Sequence, residues 1–441
     1  MKFRATDIAN AVDGDLTGDD VEVDGVAIDS RLIIGGELFV PVIAERDGHE
    51  FVAQAVDAGA VAYLCSRDVD VDGTHIKVDD TADALLQLGR HARTRLADNA
   101  AVIGITGSVG KTTVKDLTKA VLATRFRTHA SPRSFNNELG VPLTLTTAPD
   151  DVDAVVVEMG ARGRGHIELL CGIARPNIAV VTTVALAHAE MFGTIEDVAV
   201  AKGELIESLP PSGTAVLNAD NPYVLDMAGR SRAEVVTFGL EHPVDVTATR
   251  ITYDDELRPS FTLRSPWGQV DLTLAVRGAH QVMNALAAAA AAMAAGVTPD
   301  DVAQGLAHAT LSPWRMDLQR TSSGALVLND AYNANPTSVE AALRSLAALP
   351  ATRRFAVLGV MAELGPHGPT LHRDVAAVAR ELGITVIAVD APDYGVPTVS
   401  GVGGALTELG PLGEGDAVLV KGSRVAGLEQ LAEKLLAIPA T

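Results

Sequence analysis

The sequence predicts an α/β protein whose parallel sheets are covered by helices and divided among three domains. Apolar, β-branched runs such as "AVIGIT", "AVVVEMG" and "IAVVTTV" alternate with helical stretches, which is the pattern of a buried parallel sheet. Apolar residues make up 47% of the chain and aromatic residues only 4%, so the core must consist of Ala, Val and Leu. A length of 441 residues favours two to four domains.

Changes of pattern along the chain separate the three domains. Residues 1–98 alternate short strands and helices, as in "ELFVPVI" followed by "HEFVAQAVDAGA", and predict a small α/β N-terminal domain. Residues 99–312 predict a central domain with a parallel sheet, in which residues 233–278 alternate like an antiparallel appendage. The proline of "SPWRMD" indicates a linker. Beyond it, strands such as "ALVLND" and "AVLVKGS" predict a C-terminal Rossmann-like domain over residues 313–441.

Composition and charge exclude several classes of protein. The formal charge is -21, with 56 acidic against 35 basic residues, so we expect no nucleic-acid partner. Cys65 and Cys171 lack metal-ligand spacing, which excludes a disulfide framework and favours reduced thiols. The N-terminal "MKFRATDIANAVDGDL" has no apolar core of a signal peptide. The longest apolar run, Ala285–Gly296, is shorter than the about 20 residues of a membrane span. A cytoplasmic location is therefore expected.

The stretch "TGSVGKTT" predicts a phosphate-binding loop between the strand "AVIGIT" and a helix that begins at Lys111. A glycine turn before a helix directs backbone N–H groups at a phosphate, and the helix dipole adds positive potential. Lys111 is expected to reach the terminal phosphates, and the Thr112 hydroxyl to ligate Mg²⁺. The loop is shorter than the usual motif, since Ile105 stands where the first glycine is expected. The predicted ATP contacts in the loop are Thr106, Gly107, Ser108, Val109, Gly110, Lys111, Thr112 and Thr113.

Three further residues are candidates for metal binding. Glu158 ends the strand "AVVVEMG", where an acid faces the ligand crevice of such a sheet and helps to hold the nucleotide's metal, unless it bonds only to nearby backbone. His188 follows "IAVVTTV", but Mg²⁺ prefers oxygen ligands, and a single histidine among apolar residues is commonly structural. Lys202 lies on an apolar helix; burial would lower its pKa and let the neutral amine add CO₂. The residues alone favour a solvated lysine.

Taken together, these segments resemble the Mur ligase family, the ATP-dependent amide-forming enzymes of peptidoglycan synthesis. The resemblance is carried by "TGSVGKTT", "EMG", "AHAEMFG" and "AKGELIESLP", and the shortened loop is the normal form in that family. It implies two Mg²⁺ ions, the second held by Glu158, His188 and a carbamylated Lys202, with Lys111, His188 and Lys202 serving catalysis. The residues before the histidine, 184–186, depart from the family's pattern.

The resemblance also implies contacts to nucleotide and substrates in all three domains. "GAHQVMNALAA" is similar to a segment near the adenine, where Asn284 matches and Gln281 replaces an asparagine. Arg315 matches a linker arginine near the terminal phosphate, and Asp330 an acid that binds the ATP ribose; both are expected to arrive when the domains close. The substrate contacts implied by "DSR", "SFNNELGVPLTL", "NDAYNANP" and "VLVKGSR" are Ser30, Arg31, Asn136, Asn137, Asn333, Asn335, Lys421 and Ser423.

Two C-terminal segments resemble one member of the family. "NDAYNANPTSVEAAL" and "VLVKGSR" are similar to the ligase that joins D-Ala-D-Ala to a UDP-N-acetylmuramoyl-tripeptide through an acyl phosphate, giving ADP and phosphate. These two molecules are the implied substrates of a monomeric enzyme. Val360 stands where relatives commonly carry Asp, which leaves room for a divergent substrate. The sequence leaves open whether the third residue of the peptide is diaminopimelate or lysine.

Two other functions remain as alternatives. A folylpolyglutamate-like or other Mur-type ligase would keep the fold and take a different acceptor, although the "DSR" segment favours a UDP-sugar peptide. A nucleotide-dependent switch would bind ATP and regulate a partner without needing Lys202, His188 or "NDAYNANP". The dependence of ATP turnover on the two substrates separates all three.

Overall fold

The computed structural model describes residues 1–132, 134–185 and 192–437, and five sheets are present in this part of the chain. Their strands are parallel in the interiors of the two large sheets, so the predicted α/β class is confirmed. Among the described helices, none is long and apolar enough to cross a membrane.

The N-terminal part contains a five-stranded sheet of order β2-β7-β6-β5-β4 and a small antiparallel pair, β1-β3. Its strands are β1 Lys2–Arg4, β2 Asp15–Thr17, β3 Glu22–Asp24, β4 Val26–Ala27, β5 Leu38–Phe39, β6 Ala62–Cys65 and β7 Thr74–Lys77. Its helices are α1 Ala5–Ala11, α2 Val52–Asp57 and α3 Thr81–Arg95. Helix α3 packs on the central part so closely that a Cβ on Gly89 would lie 2.6 Å from Pro142 Cβ.

The central part is a six-stranded parallel sheet of order β13-β12-β11-β8-β10-β9, followed by a three-stranded antiparallel sheet, β14-β15-β16. Its strands are β8 Ala101–Thr106, β9 Thr128–Ala130, β10 Ala154–Glu158, β11 Ile178–Val181, β12 Thr214–Asn218, β13 Glu234–Phe238, β14 Thr247–Tyr253, β15 Pro259–Ser265 and β16 Gly268–Thr273. Its described helices are α4 Lys111–Leu122, α5 Gly140–Thr146, α6 His166–Ala174, α7 Ile195–Glu207, α8 Pro222–Leu225, α9 His280–Ala294 and α10 Pro299–Ala307.

The predicted start of the antiparallel appendage, residue 233, is wrong. The strand β13 pairs parallel with β12 and completes the large sheet, and the appendage is confined to β14, β15 and β16. From its second residue onward, β13 alternates half-buried and buried side chains because the strand lies at the edge of the sheet. Such an edge strand shows the same alternation of polar and apolar residues as an antiparallel strand with one solvent-exposed face.

The C-terminal part is a six-stranded sheet of order β17-β18-β22-β19-β20-β21, in which only the pairing of β17 with β18 is antiparallel among the described pairs. Its strands are β17 Asp317–Arg320, β18 Leu326–Asn329, β19 Arg353–Leu358, β20 Thr385–Val389, β21 Thr398–Val399 and β22 Asp416–Lys421. Its helices are α11 Pro336–Ala348, α12 Gly368–Glu381, α13 Gly401–Leu409 and α14 Glu429–Ala437.

Small side chains bring the helices of the central part close to the phosphate-loop helix α4. Helix α9 buries an unbroken run from Ala285 to Met293, and these residues belong to the same apolar cluster as Val114 and Leu117 of α4. A Cβ on Gly305 of α10 would lie 2.6 Å from the Cα of Val121. The close packing fixes α4, and hence the loop before it, against the sheet.

Candidate functional site

A cavity of about 630 Å³ lies between the central and C-terminal sheets. The strands β8, β10 and β12 of one sheet and β18, β19 and β22 of the other all end beside it, which is where ligands bind in open α/β sheets. The predicted residues that line it are Ser108, Val109, Gly110, Lys111, Thr112, Thr113, Asn136, Glu158, Asn284, Arg315, Asp330, Asn333, Asn335, Lys421 and Ser423.

The glycine turn has the geometry of a phosphate-binding loop. Gly107 and Gly110 have φ of +149° and +87°, values that favour glycine. A Cβ on Gly107 would overlap the Thr182 hydroxyl, and one on Gly110 would lie 2.7 Å from Asn284 Oδ1. The Thr182 hydroxyl donates to the Val109 carbonyl at 2.6 Å and so holds the turn in place. Helix α4 then begins at Lys111, with its first N–H groups facing the cleft.

Lys111 is the cation nearest to the loop. Its Nζ donates to the Gly107 carbonyl at 2.7 Å. Burial lowers the pKa of Lys111, the Glu158 carboxylate opposes that shift, and the Arg315 guanidinium adds to it. A bound polyphosphate would favour the charged amine because it is an anion of the opposite sign.

Glu158 and Thr112 provide oxygen atoms beside the loop. Glu158 is 1% exposed; its Oε1 accepts a hydrogen bond from Asn136 Nδ2 at 2.8 Å, and its Oε2 is buried without a described hydrogen-bond partner. The Thr112 hydroxyl lies 3.1 Å from the Ser134 hydroxyl. A buried carboxylate oxygen without a protein donor is suited to a hard cation. Within the described residues, no group of three His, Cys, Asp or Glu side chains could hold a metal, so a metal here needs other oxygen donors.

Lys202 is buried, and the solvated lysine favoured from the residues alone is wrong. The side chain lies on α7 at 3% exposure, and its neighbours on that helix, Val198, Ala201 and Leu205, are also buried. Burial, with a smaller contribution from Lys111, lowers the pKa of Lys202 well below its usual value. Lys202 does not line the cavity. His188 lies outside the described residues.

The C-terminal side of the cleft is organised around Asp330, which follows β18. Lys421, only 3% exposed, forms an ion pair with the Asp330 carboxylate and donates to the Asn333 carbonyl at 2.9 Å. Asp330 Oδ1 also accepts from the Met316 backbone N–H at 3.1 Å, which fastens the linker to the C-terminal sheet.

Arg315 crosses from the linker toward the phosphate loop. Its guanidinium lies over the Tyr332 ring at 4.2 Å, and its Nη2 is 3.5 Å from the Ser134 hydroxyl, which also contacts Thr112. The Nε of Arg315 is buried without a described hydrogen-bond partner. The structure thus brings Arg315 and Asp330 to the same cleft as Lys111.

Several predicted residues have structural contacts or lie elsewhere. Asn335 caps α11 by accepting from the Ser338 N–H at 2.9 Å. Asn137 does not line the cavity and accepts instead from the Gly140 N–H at 2.9 Å. Ser30 and Arg31 lie in the N-terminal part, away from the cavity; Ser30 is buried against Gln54, and the exposed Arg31 pairs with Asp29. Thr106 and Gly107 do not line the cavity, and the Thr106 hydroxyl donates to the Met159 carbonyl at 2.8 Å.

Other lining residues were not predicted as site residues. Gln281, which replaces the family's asparagine, accepts a hydrogen bond at its Oε1 from Asn284 Nδ2 at 2.9 Å. The glutamine therefore orients the Asn284 amide. His280 is half-buried in the cavity wall, and the loss of solvent around its ring lowers its pKa. The remaining unpredicted polar residues of the wall include Ser134, Thr182, Thr183, Asn218, Tyr332, Thr337, Ser338, Glu363 and Arg424. Their spacing in the sequence gave no signal, since only the fold brings them together.

Comparison with known proteins identifies the family. Residues 105–292 match the Mur ligase middle domain, and residues 314–424 match the domain described as Mur ligase, glutamate ligase domain. The UDP-N-acetylmuramoyl-tripeptide–D-alanyl-D-alanine ligase of Escherichia coli (strain K12) is 38% identical over 446 residues, covering 98% of this chain and 97% of the relative. The chain belongs to the Mur ligase family.

Solved Mur ligases share the whole architecture. MurF from Acinetobacter baumannii superposes with a TM-score of 0.90 at 29% identity, covering 99% of each chain. MurF from Thermotoga maritima in complex with ADP has a TM-score of 0.82 at 26% identity, covering 94% of this chain and 97% of that one. The resemblance and the three-domain fold predicted from the motifs are confirmed, and the protein is an ATP-dependent, ADP-forming ligase.

Proposed function

We propose that this protein joins D-Ala-D-Ala to a UDP-N-acetylmuramoyl-tripeptide, with conversion of ATP to ADP and phosphate, in peptidoglycan precursor synthesis. The observation that carries the proposal is the match to the E. coli ligase of that name, because it extends over 98% of the chain and includes all three domains. We assign these domains to residues 1–98, 99–312 and 313–441.

The chemistry requires an activated carboxylate and a cleft that tolerates concentrated negative charge. A carboxylate is a poor electrophile, and transfer of the γ-phosphoryl group to it creates an acyl phosphate with a good leaving group. The loop N–H groups, Lys111 and Arg315 face the position where this charge moves. The dipeptide nitrogen then forms the C–N bond as the C–O bond to phosphate breaks. Enclosure of the cleft by two domains protects the acyl phosphate from water.

We propose that two Mg²⁺ ions bind beside the phosphate loop. Thr112 and Glu158 Oε2 offer oxygen ligands beside the phosphate loop, and the buried Glu158 oxygen supports this assignment because it lacks a described protein donor. Mg²⁺ bound there would supply positive charge to the transferring phosphoryl group. Lys202 is a buried amine with a lowered pKa, which suits it to carry a carbamate as a further oxygen ligand. We keep His188 as a proposed member of this set.

The remaining assignments complete the proposal. Asp330 and Asn284 contact the nucleoside, and the UDP part of the substrate lies against Ser30 and Arg31 of the N-terminal domain. The exposed guanidinium of Arg31 supports this location for an anionic diphosphate. We also propose that the enzyme works as a monomer in the cytoplasm.

A phosphate-release assay tests the proposal against the two alternatives. The enzyme should release phosphate from ATP only when UDP-muramoyl-tripeptide and D-Ala-D-Ala are both present. A folylpolyglutamate-like ligase would require a different acceptor pair, and a nucleotide switch would turn over ATP without regard to either substrate.

A matched pair of variants on α4 controls the assay. Lys111→Met removes the cation beside the loop, whereas Lys119→Met removes an exposed cation from the same helix. The first should abolish phosphate release and the second should leave it unchanged. Equal effects of the two substitutions would contradict the role given to the loop.

A further inference from the structure

Arg424 brings a positive charge to the C-terminal side of the cleft. It lies in the loop after β22, lines the cavity, and has a side chain that is 53% exposed. Its guanidinium lies 4.4 Å from the centre of the Trp314 ring, and its Nη1 pairs with Glu429 Oε1 at 2.6 Å. A guanidinium has five N–H donors, so a group held in this way can still bind a second acceptor through its Nε–Nη2 edge.

The backbone that carries Arg424 is fixed by the preceding residue, the buried Ser423. The Ser423 N–H donates to the Val360 carbonyl at 2.9 Å, and the Ser423 hydroxyl accepts from the Ala362 N–H at 2.9 Å. These bonds tie the loop after β22 to the loop after β19. Because both the backbone and the guanidinium are held in place, Arg424 loses little conformational freedom when it binds a ligand.

The positions of the cations indicate which anion Arg424 would bind. Among the described residues of the cavity wall, Lys111 and Arg315 lie beside the phosphate loop, and Lys421 is buried against Asp330. We assign the phosphates of ATP to the loop and the diphosphate of UDP to the N-terminal domain. The anions that remain are the carboxylates of the two peptides, and an arginine binds a carboxylate with two parallel hydrogen bonds.

The surroundings of Arg424 favour the carboxylate of the incoming dipeptide over those of the tripeptide. The tripeptide is attached to UDP in the N-terminal domain, whereas Arg424 belongs to the C-terminal domain. Its neighbour Val425 is 79% exposed, lines the cavity, and offers an apolar contact to an alanine methyl group. The ring that holds Arg424 belongs to Trp314, the residue before Arg315. Adjacent residues are about 3.8 Å apart, and an extended dipeptide spans about 7 Å, so it can reach from one side of the linker to the other.

We propose that Arg424 binds the carboxylate of the incoming D-Ala-D-Ala and so directs the nitrogen at the other end toward the acyl phosphate. The inference rests on the proposed function and assigns the subsite that selects the acceptor. Trp314 is a positioning residue in this site, because its ring holds the guanidinium. An acceptor without a negative charge at this end loses the charge-assisted hydrogen bonds.

D-Alanyl-D-alaninamide tests this ion pair, because an uncharged carboxamide replaces its carboxylate. The wild-type enzyme should use D-Ala-D-Ala with a kcat/KM about 10- to 100-fold higher than that for the amide, the range expected for hydrogen bonds to a charged group. Arg424→Met should raise the KM for D-Ala-D-Ala and abolish this preference, while the KM values for ATP and UDP-tripeptide stay unchanged. Arg424→Lys should keep part of the preference, because it retains the charge but not the planar, two-point contact.

Arg380→Met is the matched control, since it removes an exposed guanidinium from α12 of the same domain and should alter none of these values. Equal use of the acid and the amide by the wild-type enzyme would overturn the inference without recourse to any variant. An undiminished preference in Arg424→Met would also overturn it. So would a rise in the KM for UDP-tripeptide or ATP in place of the dipeptide, since the bound anion would then be a tripeptide carboxylate or a phosphate. Failure of the wild-type enzyme to ligate either dipeptide would instead overturn the proposed function.

Discussion

Replacing Gly107 with alanine should disable the phosphate loop with little effect on the rest of the fold. Gly107 has φ of +149°, and an added Cβ would overlap the Thr182 hydroxyl and lie 3.1 Å from Thr182 Cβ and 3.2 Å from the Thr183 nitrogen. The Thr182 hydroxyl holds the loop by donating to the Val109 carbonyl. To make room, either the loop or this hydrogen bond must be displaced.

The magnitude follows from these two effects. A non-glycine residue in a glycine-favouring region costs about 1–3 kcal/mol, and loss of the Thr182 hydrogen bond costs about 1 kcal/mol. The unliganded loop can relax, so the substitution raises mainly the free energy of the ATP-bound state. A penalty of about 2–4 kcal/mol corresponds to ATP binding that is roughly 30- to 1,000-fold weaker.

Calorimetric titration with a non-hydrolysable ATP analogue measures this loss directly. Gly163→Ala is the matched control, because a Cβ there meets nothing within 4 Å. Gly107→Ala combined with Thr182→Ala should recover part of the affinity, since the hydroxyl overlap disappears while the backbone cost remains. Binding by Gly107→Ala within about threefold of wild type, less than 1 kcal/mol, would refute the assigned loop geometry.

Three further results are expected. Lys202→Ala should abolish ligation, and a short-chain carboxylic acid added to the assay should restore part of it by supplying the missing oxygen ligand; full activity without the acid would show that Lys202 is misassigned. Asp330→Asn should lower the free energy of unfolding by about 3–5 kcal/mol because it leaves the buried Lys421 charge unpaired, and Asp330→Asn with Lys421→Met should recover stability in denaturant titrations without recovering activity. Hydrogen bonds from the His49 backbone and ring, and from Arg67, lower the pKa of Asp47 to about 2. Its contribution to stability should be complete above the unfolded-state pKa of 3.8 and vanish as pH falls through about 2. Asp47→Asn should therefore melt below wild type at neutral pH and match it near pH 2; a constant difference would contradict this account.

Local patterns in the sequence were enough to predict the phosphate loop and the sheet behind it. The strand β8, the two glycines and Lys111 follow one another in the chain, so their relative geometry is set by short-range structure. The same reasoning placed Glu158 at the carboxyl end of β10. The order of the strands, by contrast, depends on how distant segments pair.

The burial of a residue was harder to predict than the secondary structure in which it lies. Lys202 lies on a helix as expected, yet it is 3% exposed because α7 is covered on the side that carries it. Strand β13 was assigned to the wrong sheet, since an edge strand and an antiparallel strand share one alternating pattern.

Contacts between separate loops of the cleft could not be predicted from the sequence, even where a single residue, Ser423, was named through the resemblance. Glu363 and Ser423 come from loops that follow different strands, and the hydrogen bond between Ala362 and Ser423 forms only because β19 and β22 are neighbours. The left-handed backbone conformation of Glu363, with φ of +66°, is likewise set by the folded chain and not by the residue type.

Transfer of oxygen from the tripeptide to phosphate tests the central claim most directly. The UDP-tripeptide would be labelled with oxygen-18 in its terminal carboxylate, and the products of ligation with ATP and D-Ala-D-Ala analysed by mass spectrometry. If the γ-phosphoryl group is transferred to the carboxylate, one labelled oxygen must appear in the released phosphate and none in ADP. Labelled AMP, or unlabelled phosphate alongside completed ligation, would contradict the account.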